Sequence, residues 1–278
     1  MRGQMPKDPF RTRDHVTDFD DIVAEIRRRS AEVRGRLPMI ADLAYGADRS
    51  ETLDLFFPEG IRDQLPVHVF IHGGYWRMFS KSDYSYVAET VTKAGAIAVI
   101  LGYALMPAVR MSTIIEQVRR ARRWVDEHIA IHGGDPGMLT VSGHSAGAHL
   151  STMLFDDDGR PSGIKGALLL GGIYDLKPLQ TSFLANEIAI TDEDVEGYSP
   201  INHGFDPAVH VEIAVGADET LPFHSQAACF ADRLEKQGLV VSRTSLIATN
   251  HMSSVRDLGL AGTQAAELLV DLLSGCKA

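Results

Sequence analysis

The sequence predicts an α/β fold in which helices cover both faces of a mostly parallel β-sheet. From residue 67 onward, short apolar runs rich in β-branched residues alternate with longer stretches of helical periodicity. The apolar runs are nearly continuous, which is typical of strands buried on both faces. The chain has 278 residues, of which 45% are hydrophobic, so it can bury a sizeable core. We therefore expect one domain over residues 1–278.

Two elements precede this alternation. Residues 18–34 place their apolar side chains on one side of a helix, which predicts an amphipathic helix. Residues 52–57 alternate between apolar and polar side chains, which predicts a half-buried strand suited to the edge of the sheet.

The later elements follow in alternation. Predicted strands cover residues 67–71, 96–101, 139–142, 164–170, 211–215 and 240–247. Predicted helices lie near residues 82–94, 113–131, 146–155, 221–237 and 254–273. The interval 174–203 is polar and only weakly periodic. It is long enough to leave the sheet and form a small cap insertion over an active-site mouth.

A G-x-S-x-G pentapeptide, residues 143–147, lies between a predicted strand and a predicted helix. A serine in such a sharp strand-to-helix turn exposes its hydroxyl as a nucleophile, and the flanking glycines avoid collisions in the turn. The pentapeptide alone is common, but this context is not. We therefore predict that Ser145 is the nucleophile of a serine hydrolase. The neighbours His144 and His149 are interpreted as packing and surface residues.

A His-Gly-Gly segment, residues 72–74, follows the predicted strand at 67–71. In this context its backbone N–H groups can stabilise the oxyanion of a tetrahedral intermediate. The predicted donors are the N–H groups of Gly73, Gly74, Tyr75 and Ala146. A second His-Gly-Gly, at residues 132–134, follows a long helical pattern and precedes Asp-Pro, so it is interpreted as a helix C-cap and turn.

A serine hydroxyl needs a base, and the base needs a carboxylate to orient it. In a strand-nucleophile-helix architecture these follow the serine in the order acid, then histidine. His251 follows the predicted strand at 240–247, and Asp218 follows the strand at 211–215. We predict these two as base and acid. Glu219 is the rival acid, and Asp218 could instead cap the helix that follows it.

Composition excludes several classes of function. The formal net charge of −10 argues against nucleic acid as a partner. No apolar run is long enough to span a membrane, and the first residues lack the apolar core of a signal peptide. The two cysteines, Cys229 and Cys276, have no metal-ligand spacing, so we expect a reduced, cytoplasmic protein. The aspartates at 156–158 are interpreted as a solvated turn, not a calcium loop. No sequence feature specifies an oligomeric state.

Several motifs together resemble the kynurenine formamidase (arylformamidase) branch of the α/β-hydrolase fold, which is related to the hormone-sensitive-lipase-like esterases. The likeness covers most of the chain. It lies in the H-G-G-x-W segment at 72–76, the nucleophile segment 143–150, residues 172–179 with 198–200, and the acid and base segments 216–218 and 250–251.

The resemblance implies a hydrolase without cofactor or metal that cleaves N-formylkynurenine or a similar small aryl formamide, releasing formate. Aromatic and apolar side chains near the strand ends are candidate substrate contacts, and they are Trp76, Phe79, Tyr103, Tyr174 and Met252. Two alternatives stay open: a carboxylesterase or amidase for small acyl substrates, and a catalytically inactive binding protein of the same fold.

Overall fold

The computed structural model describes residues 7–60, 63–156 and 161–275. Its eight strands form one sheet in the order β1-β2-β4-β3-β5-β6-β7-β8. All neighbouring pairs from β4 onward in that order are parallel, and β2 pairs antiparallel with both β1 and β4. The strands are β1 Met39–Ala44, β2 Thr52–Phe56, β3 Leu65–Ile71, β4 Ile97–Leu101, β5 Gly134–His144, β6 Ile164–Leu170, β7 His210–Gly216 and β8 Val241–Leu246.

Helices lie on both sides of this sheet. They are α1 Phe19–Arg36, α2 Ala88–Lys93, α3 Met111–His128, α4 Ala146–Thr152, α5 Asp192–Tyr198, α6 Leu221–Lys236, α7 His251–Asp257 and α8 Gln264–Gly275. Side chains of α3 and α6 belong to one buried apolar cluster, and those of α1, α2, α7 and α8 belong to a second. Strand residues divide between the clusters by alternation: Val69 joins the first and Phe70 the second. The predicted α/β architecture is therefore confirmed.

Three predicted elements differ from the structure. Residues 52–57 were predicted to form an edge strand, but β2 has neighbours on both sides and the edge belongs to β1. The helix predicted near 82–94 begins as a 3-10 helix, Lys81–Val87, and only α2 is α-helical. The single helix predicted at 254–273 is two helices, because Gly262 adopts a positive φ of 80° in the turn between α7 and α8.

The segment predicted as a cap connects β6 to β7. Besides α5 it contains short 3-10 helices at Lys177–Thr181, Phe183–Asn186 and Pro200–Asn202. It packs beside the segment that follows β3, where Arg77 forms an ion pair of 2.7 Å with Glu187. We call it the β6–β7 insertion. Within the described residues, no helix is both long and apolar enough to cross a bilayer.

Candidate active site

Ser145 occupies the sharp turn between β5 and α4. Its φ of 56° and ψ of −119° lie in a strained region for a residue with a side chain. The turn is held by the Ser145 N–H, which donates to the Leu170 carbonyl at 2.8 Å. A Cβ on Gly147 would lie 2.0 Å from the Ile71 carbonyl oxygen, and one on Gly143 would lie 2.2 Å from that of Gly147. Both flanking glycines are therefore required by close backbone contact.

The loop after β3 lies directly against this turn. A Cβ on Gly73 would lie 3.2 Å from the Ser145 Cβ. The N–H groups of Gly73, Gly74 and Tyr75 have no hydrogen-bond acceptor among the residues that the structure describes. Ala146 is the first residue of α4, so its N–H has no partner within the helix. The predicted oxyanion donors therefore have free hydrogens, and two of the donor residues, Gly73 and Ala146, adjoin Ser145.

The loop backbone takes an unusual course. Gly74, Tyr75 and Trp76 have consecutive positive φ values of 112°, 53° and 57°. Left-handed conformations are costly for residues with side chains and persist where neighbouring contacts hold them. We call residues 73–76 the oxyanion loop.

His251 is the first residue of α7, and the Asn250 side chain caps this helix by accepting the N–H groups of Met252 and Ser253. The His251 Nδ1 donates to the Glu219 Oε2 at 2.5 Å. The other carboxylate oxygen of Glu219 accepts the Gly216 N–H at 2.9 Å. The Glu219 side chain has no solvent exposure and the His251 side chain is 6% exposed, so this hydrogen-bonded pair is buried.

This geometry corrects the prediction that Asp218 orients His251. The Glu219 N–H bonds back to the Gly216 carbonyl at 3.0 Å, and this turn directs Asp218 outward and Glu219 inward. Asp218 is exposed, and only its backbone N–H reaches the base loop, at the Thr249 carbonyl. The one-residue difference is a matter of turn geometry, and the longer glutamate side chain spans the gap to the imidazole.

His144 lies between the base and the oxyanion loop. Its Nε2 donates to the His251 carbonyl at 2.8 Å, and the centres of the two imidazole rings are 4.4 Å apart. Its Nδ1 has no partner and would lie 3.0 Å from a Cβ on Gly73. Burial lowers the pKa of His144 well below its usual value, with a smaller contribution from His251, so this ring is neutral. His144 is therefore a packing residue, as one of the two earlier interpretations expected, and not a surface residue.

The Ser145 hydroxyl forms no hydrogen bond to His251 within the described part of the chain, although both are buried. Nucleophile–base hydrogen bonds are often long before substrate arrives and tighten in the reacting complex. The two residues are nevertheless neighbours of the same groups. His144 adjoins Ser145 in sequence and contacts the His251 ring at a tilt of 46°. The Ser145 N–H bonds the Leu170 carbonyl, and a Cβ on the next residue, Gly171, would lie 3.0 Å from the His251 Nδ1.

The predicted substrate contacts divide into two groups. Trp76, Tyr174 and Met252 are buried and packed in the core, and a substrate contact by any of them stays a prediction. The Trp76 indole N–H donates to the His149 Nδ1 at 3.2 Å, and Tyr174 stacks on Phe230 with ring centres 4.1 Å apart. Met252 packs in the second apolar cluster.

Phe79 and Tyr103 instead border a cavity of about 590 Å³ that also includes His72. Ser145 is not part of its lining. The Tyr103 ring stacks on His72 with centres 4.3 Å apart, and its hydroxyl donates to the His72 carbonyl at 2.8 Å. These contacts hold His72, the residue that precedes the oxyanion loop, in place. A substrate contact by Phe79 or Tyr103 stays a prediction.

The structure shows three aromatic side chains near the site that sequence analysis did not identify. The Phe223 ring lies 4.4 Å from the His251 ring, and Phe10 packs edge-on against Phe223 at 6.0 Å. On the other side, Phe183 packs edge-on against Tyr75 at 5.1 Å. Phe10 and Phe183 come from distant segments without strand or helix periodicity, so no local pattern marked them. Phe223 carried a weak signal, because it lies in the first turn of the helix after the acid.

Possible metal ligands do not cluster in this region. In residues 7–60, 63–156 and 161–275, no three His, Cys, Asp or Glu side chains are grouped to hold a metal ion. Of the run 156–158, only Asp156 is among the described residues, and it pairs with Arg119. Cys276 also lies outside them, and Cys229 is a free, exposed thiol.

Comparison with known proteins gives matches over most of the chain. The BD-FAE family model matches residues 53–157. Kynurenine formamidase from Danio rerio is 29% identical over 245 residues, covering 85% of this chain and 82% of the relative. Carboxylesterase NlhH from Mycobacterium tuberculosis is 37% identical over 101 residues, but this covers 36% of this chain and 32% of the relative.

Among solved structures, a protein from Silicibacter sp. TM1040 superposes with a TM-score of 0.84 at 24% identity, covering 98% of this chain and all of the other. The resemblance predicted from the motifs is thus confirmed. So are the α/β-hydrolase fold and the assignment to the hydrolases of that fold.

Proposed function

We propose that this protein is a serine hydrolase that cleaves an aryl formamide, such as N-formylkynurenine, into the free arylamine and formate. The observation that carries the proposal is the enclosed His251–Glu219 pair beside the strained Ser145 turn, with the free N–H groups of the oxyanion loop alongside. The similarity to kynurenine formamidases over most of both chains supports the substrate class.

The proposed reaction has two halves. In the first, the Ser145 Oγ attacks the formyl carbon while the His251 Nε2 takes its proton. The negative oxygen of the tetrahedral intermediate accepts hydrogen bonds from the N–H groups of the oxyanion loop and Ala146. The C–N bond then breaks, the arylamine leaves with the proton from His251, and a formyl ester remains on Ser145.

In the second half, water replaces the amine. His251 takes a proton from the water, whose oxygen attacks the formyl ester. The ester bond breaks, Ser145 regains its proton from His251, and formic acid leaves and releases its proton to water to give formate. Throughout, Glu219 stabilises the imidazolium form of His251 and keeps its Nδ1–H turned away from the serine.

The close approach of Gly73 to Ser145 supports a small acyl group, since it limits the space beside the nucleophile. The flanking aromatic rings of Phe223 and Phe183 suit a flat leaving group. A carboxylesterase acting on small acyl esters is the second candidate, favoured by the shorter match to carboxylesterase NlhH. The exposed free thiol of Cys229 supports a reducing, cytoplasmic location for either enzyme.

Steady-state kinetics on matched substrates would test the proposal. N-formylkynurenine, its N-acetyl analogue and p-nitrophenyl acetate should be compared, with Ser145→Ala as the control that must lose several orders of magnitude in kcat. We expect N-formylkynurenine to give the highest kcat/KM and the N-acetyl analogue to be much slower. Equal rates on the two amides with faster ester turnover would favour the carboxylesterase. Full activity of Ser145→Ala would reject both.

A further inference from the structure

The segment before α1 is hydrogen-bonded to three segments at or beside the candidate active site. Residues 8–12, which we call the strap, contact the oxyanion loop, the β6–β7 insertion and the loop that carries Glu219. These contacts join residues far apart in sequence, so the strap belongs to the site only through tertiary structure.

The strongest contact is with Tyr75. Its hydroxyl donates to the Phe10 carbonyl at 2.8 Å and accepts the Thr12 N–H at 3.0 Å. Since the single phenol hydrogen is used on Phe10, the Thr12 hydroxyl donates to the Tyr75 oxygen, at 2.7 Å. All three hydrogen bonds are buried. The phenol is therefore saturated by two residues of the strap.

Two further anchors hold the first residues of the strap. The Asp8 carboxylate accepts the Phe183 N–H of the β6–β7 insertion at 2.5 Å, and the Pro9 carbonyl accepts the Thr220 hydroxyl at 2.6 Å. Thr220 directly follows Glu219. The strap thus fixes the Tyr75 hydroxyl relative to the acid of the site.

Tyr75 connects this anchorage to the chemistry. Its backbone is left-handed, with φ of 53°, and its N–H, one of the proposed oxyanion donors, has no acceptor among the described residues. Tyr75 lies two residues after Gly73, which adjoins Ser145. A residue with a side chain keeps that conformation only where contacts hold it, and the strap supplies the hydrogen bonds on the phenol. Oxyanion donors must be placed before the charge develops, and small displacements are costly to rate.

We propose that the strap positions the oxyanion loop through the Tyr75 hydroxyl, with Thr12 and Tyr75 as positioning residues. The proposal deepens the proposed serine hydrolase function and rests on it. It requires that Tyr75 act through its phenol on the placement of backbone donors, not only as a structural residue. Loss of the phenol contact should then lower kcat strongly, while KM changes little and the free energy of unfolding falls no more than for loss of another buried tyrosine hydroxyl.

The experiment compares Tyr75→Phe with Tyr45→Phe, using p-nitrophenyl acetate and N-formylkynurenine. Tyr45 is a matched control because its buried hydroxyl also donates to a carbonyl, that of Gly102 at 2.6 Å, and this hydroxyl forms no hydrogen bond to the strap among the described residues. We expect Tyr75→Phe to lower kcat by roughly 10- to 100-fold with KM within about twofold, while urea unfolding shows similar losses in both variants.

Two variants of Thr12 keep the test decisive if Tyr75→Phe folds poorly. Thr12→Val removes the hydroxyl and keeps the shape, whereas Thr12→Ser keeps the hydroxyl. We expect Thr12→Val to lower kcat several-fold and Thr12→Ser to restore it. If kcat falls no further in Tyr75→Phe than in Tyr45→Phe, or if Thr12→Val matches Thr12→Ser, the strap proposal is overturned while the hydrolase assignment stands. A wild type inert on both substrates and unlabelled by a fluorophosphonate overturns both.

Discussion

Glu219 and Asp218 are adjacent acids with opposite environments. The Glu219 carboxylate is enclosed and bonded to the His251 Nδ1, while the Asp218 side chain is exposed. Chain order in α/β hydrolases restricts the acid to this loop but does not say which residue of the turn points inward. That choice follows from the hydrogen bond between the Glu219 N–H and the Gly216 carbonyl.

Glu219 and Asp218 give a prediction in which one substitution serves as the control for the other. Glu219→Gln should lower kcat by roughly 10³- to 10⁴-fold, because a neutral amide neither stabilises the imidazolium nor fixes its tautomer. Asp218→Asn should leave kcat within about twofold. Both variants should fold, with KM and urea unfolding close to those of the wild type. Circular dichroism and urea titration would verify the folding. Equal damage from the two changes would leave His251 without an assigned acid.

At the scale of elements, the oxyanion loop depends on backbone conformation more than on side chains. Gly74 has φ of 112°, and a Cβ there would lie 2.4 Å from the Met78 carbonyl oxygen and 2.8 Å from the Phe79 ring. Any side chain at Gly74 must therefore displace the loop.

Gly74→Val should lower kcat by roughly 10²-fold or more while KM changes little, because the loop donors act mainly in the transition state. Gly238→Val is the control: Gly238 has a similar positive φ of 90°, but a Cβ there meets nothing within 4 Å. That variant should lose stability without losing kcat. Kinetics on p-nitrophenyl acetate would separate the two, and normal kcat in Gly74→Val would remove this loop from the oxyanion site.

The elements also show which positions could be predicted from sequence. Ser145 was expected between a strand and a helix, and residues 72–74 directly after a strand, because the strands have a strong local pattern and glycines mark the turns that follow them. The helix predicted at 254–273 proved to be two, since Gly262 tolerates a turn that apolar periodicity does not reveal. The strap was missed because Phe10 and Thr12 find their partners 65 and 63 residues away, at Tyr75.

At the scale of the whole molecule, the core encloses several neutral histidines. His68 lies between the hydroxyls of Thr140 and Ser142, and burial lowers its pKa to about 3. Burial also lowers the pKa of His72 and of His149 to about 4, and that of His144 well below its usual value. Sequence patterns locate these histidines in strands, turns and a helix but do not show that all four are enclosed.

The enclosed histidines predict how stability depends on pH. Unfolded histidines take up protons near pH 6.5, whereas the folded ones stay neutral to about pH 4, so the unfolded state binds more protons between these values. The free energy of unfolding should therefore fall as the pH drops through this window, by about 1.4 kcal/mol per pH unit for each neutral histidine.

Urea unfolding at a series of pH values from 7 to 4.5 would measure this slope. His68→Leu should reduce the slope by about one histidine's share, because it removes one group that the unfolded state protonates. Val69→Ala, in the same strand, should lower the free energy of unfolding at every pH and leave the slope unchanged. An unchanged slope in His68→Leu would contradict a neutral, enclosed His68.

The anchorage of the strap has a consequence for protein synthesis. The Pro9 carbonyl bonds to the Thr220 hydroxyl, 211 residues later in the chain. On the ribosome, the residues that brace the oxyanion loop are therefore made long before the partners that fix them, and His251 emerges later still. Nascent chains that already contain Ser145 and the strap would lack His251 and the strap's anchors at Phe183 and Thr220, so we expect no hydrolysis until all eight strands have been made.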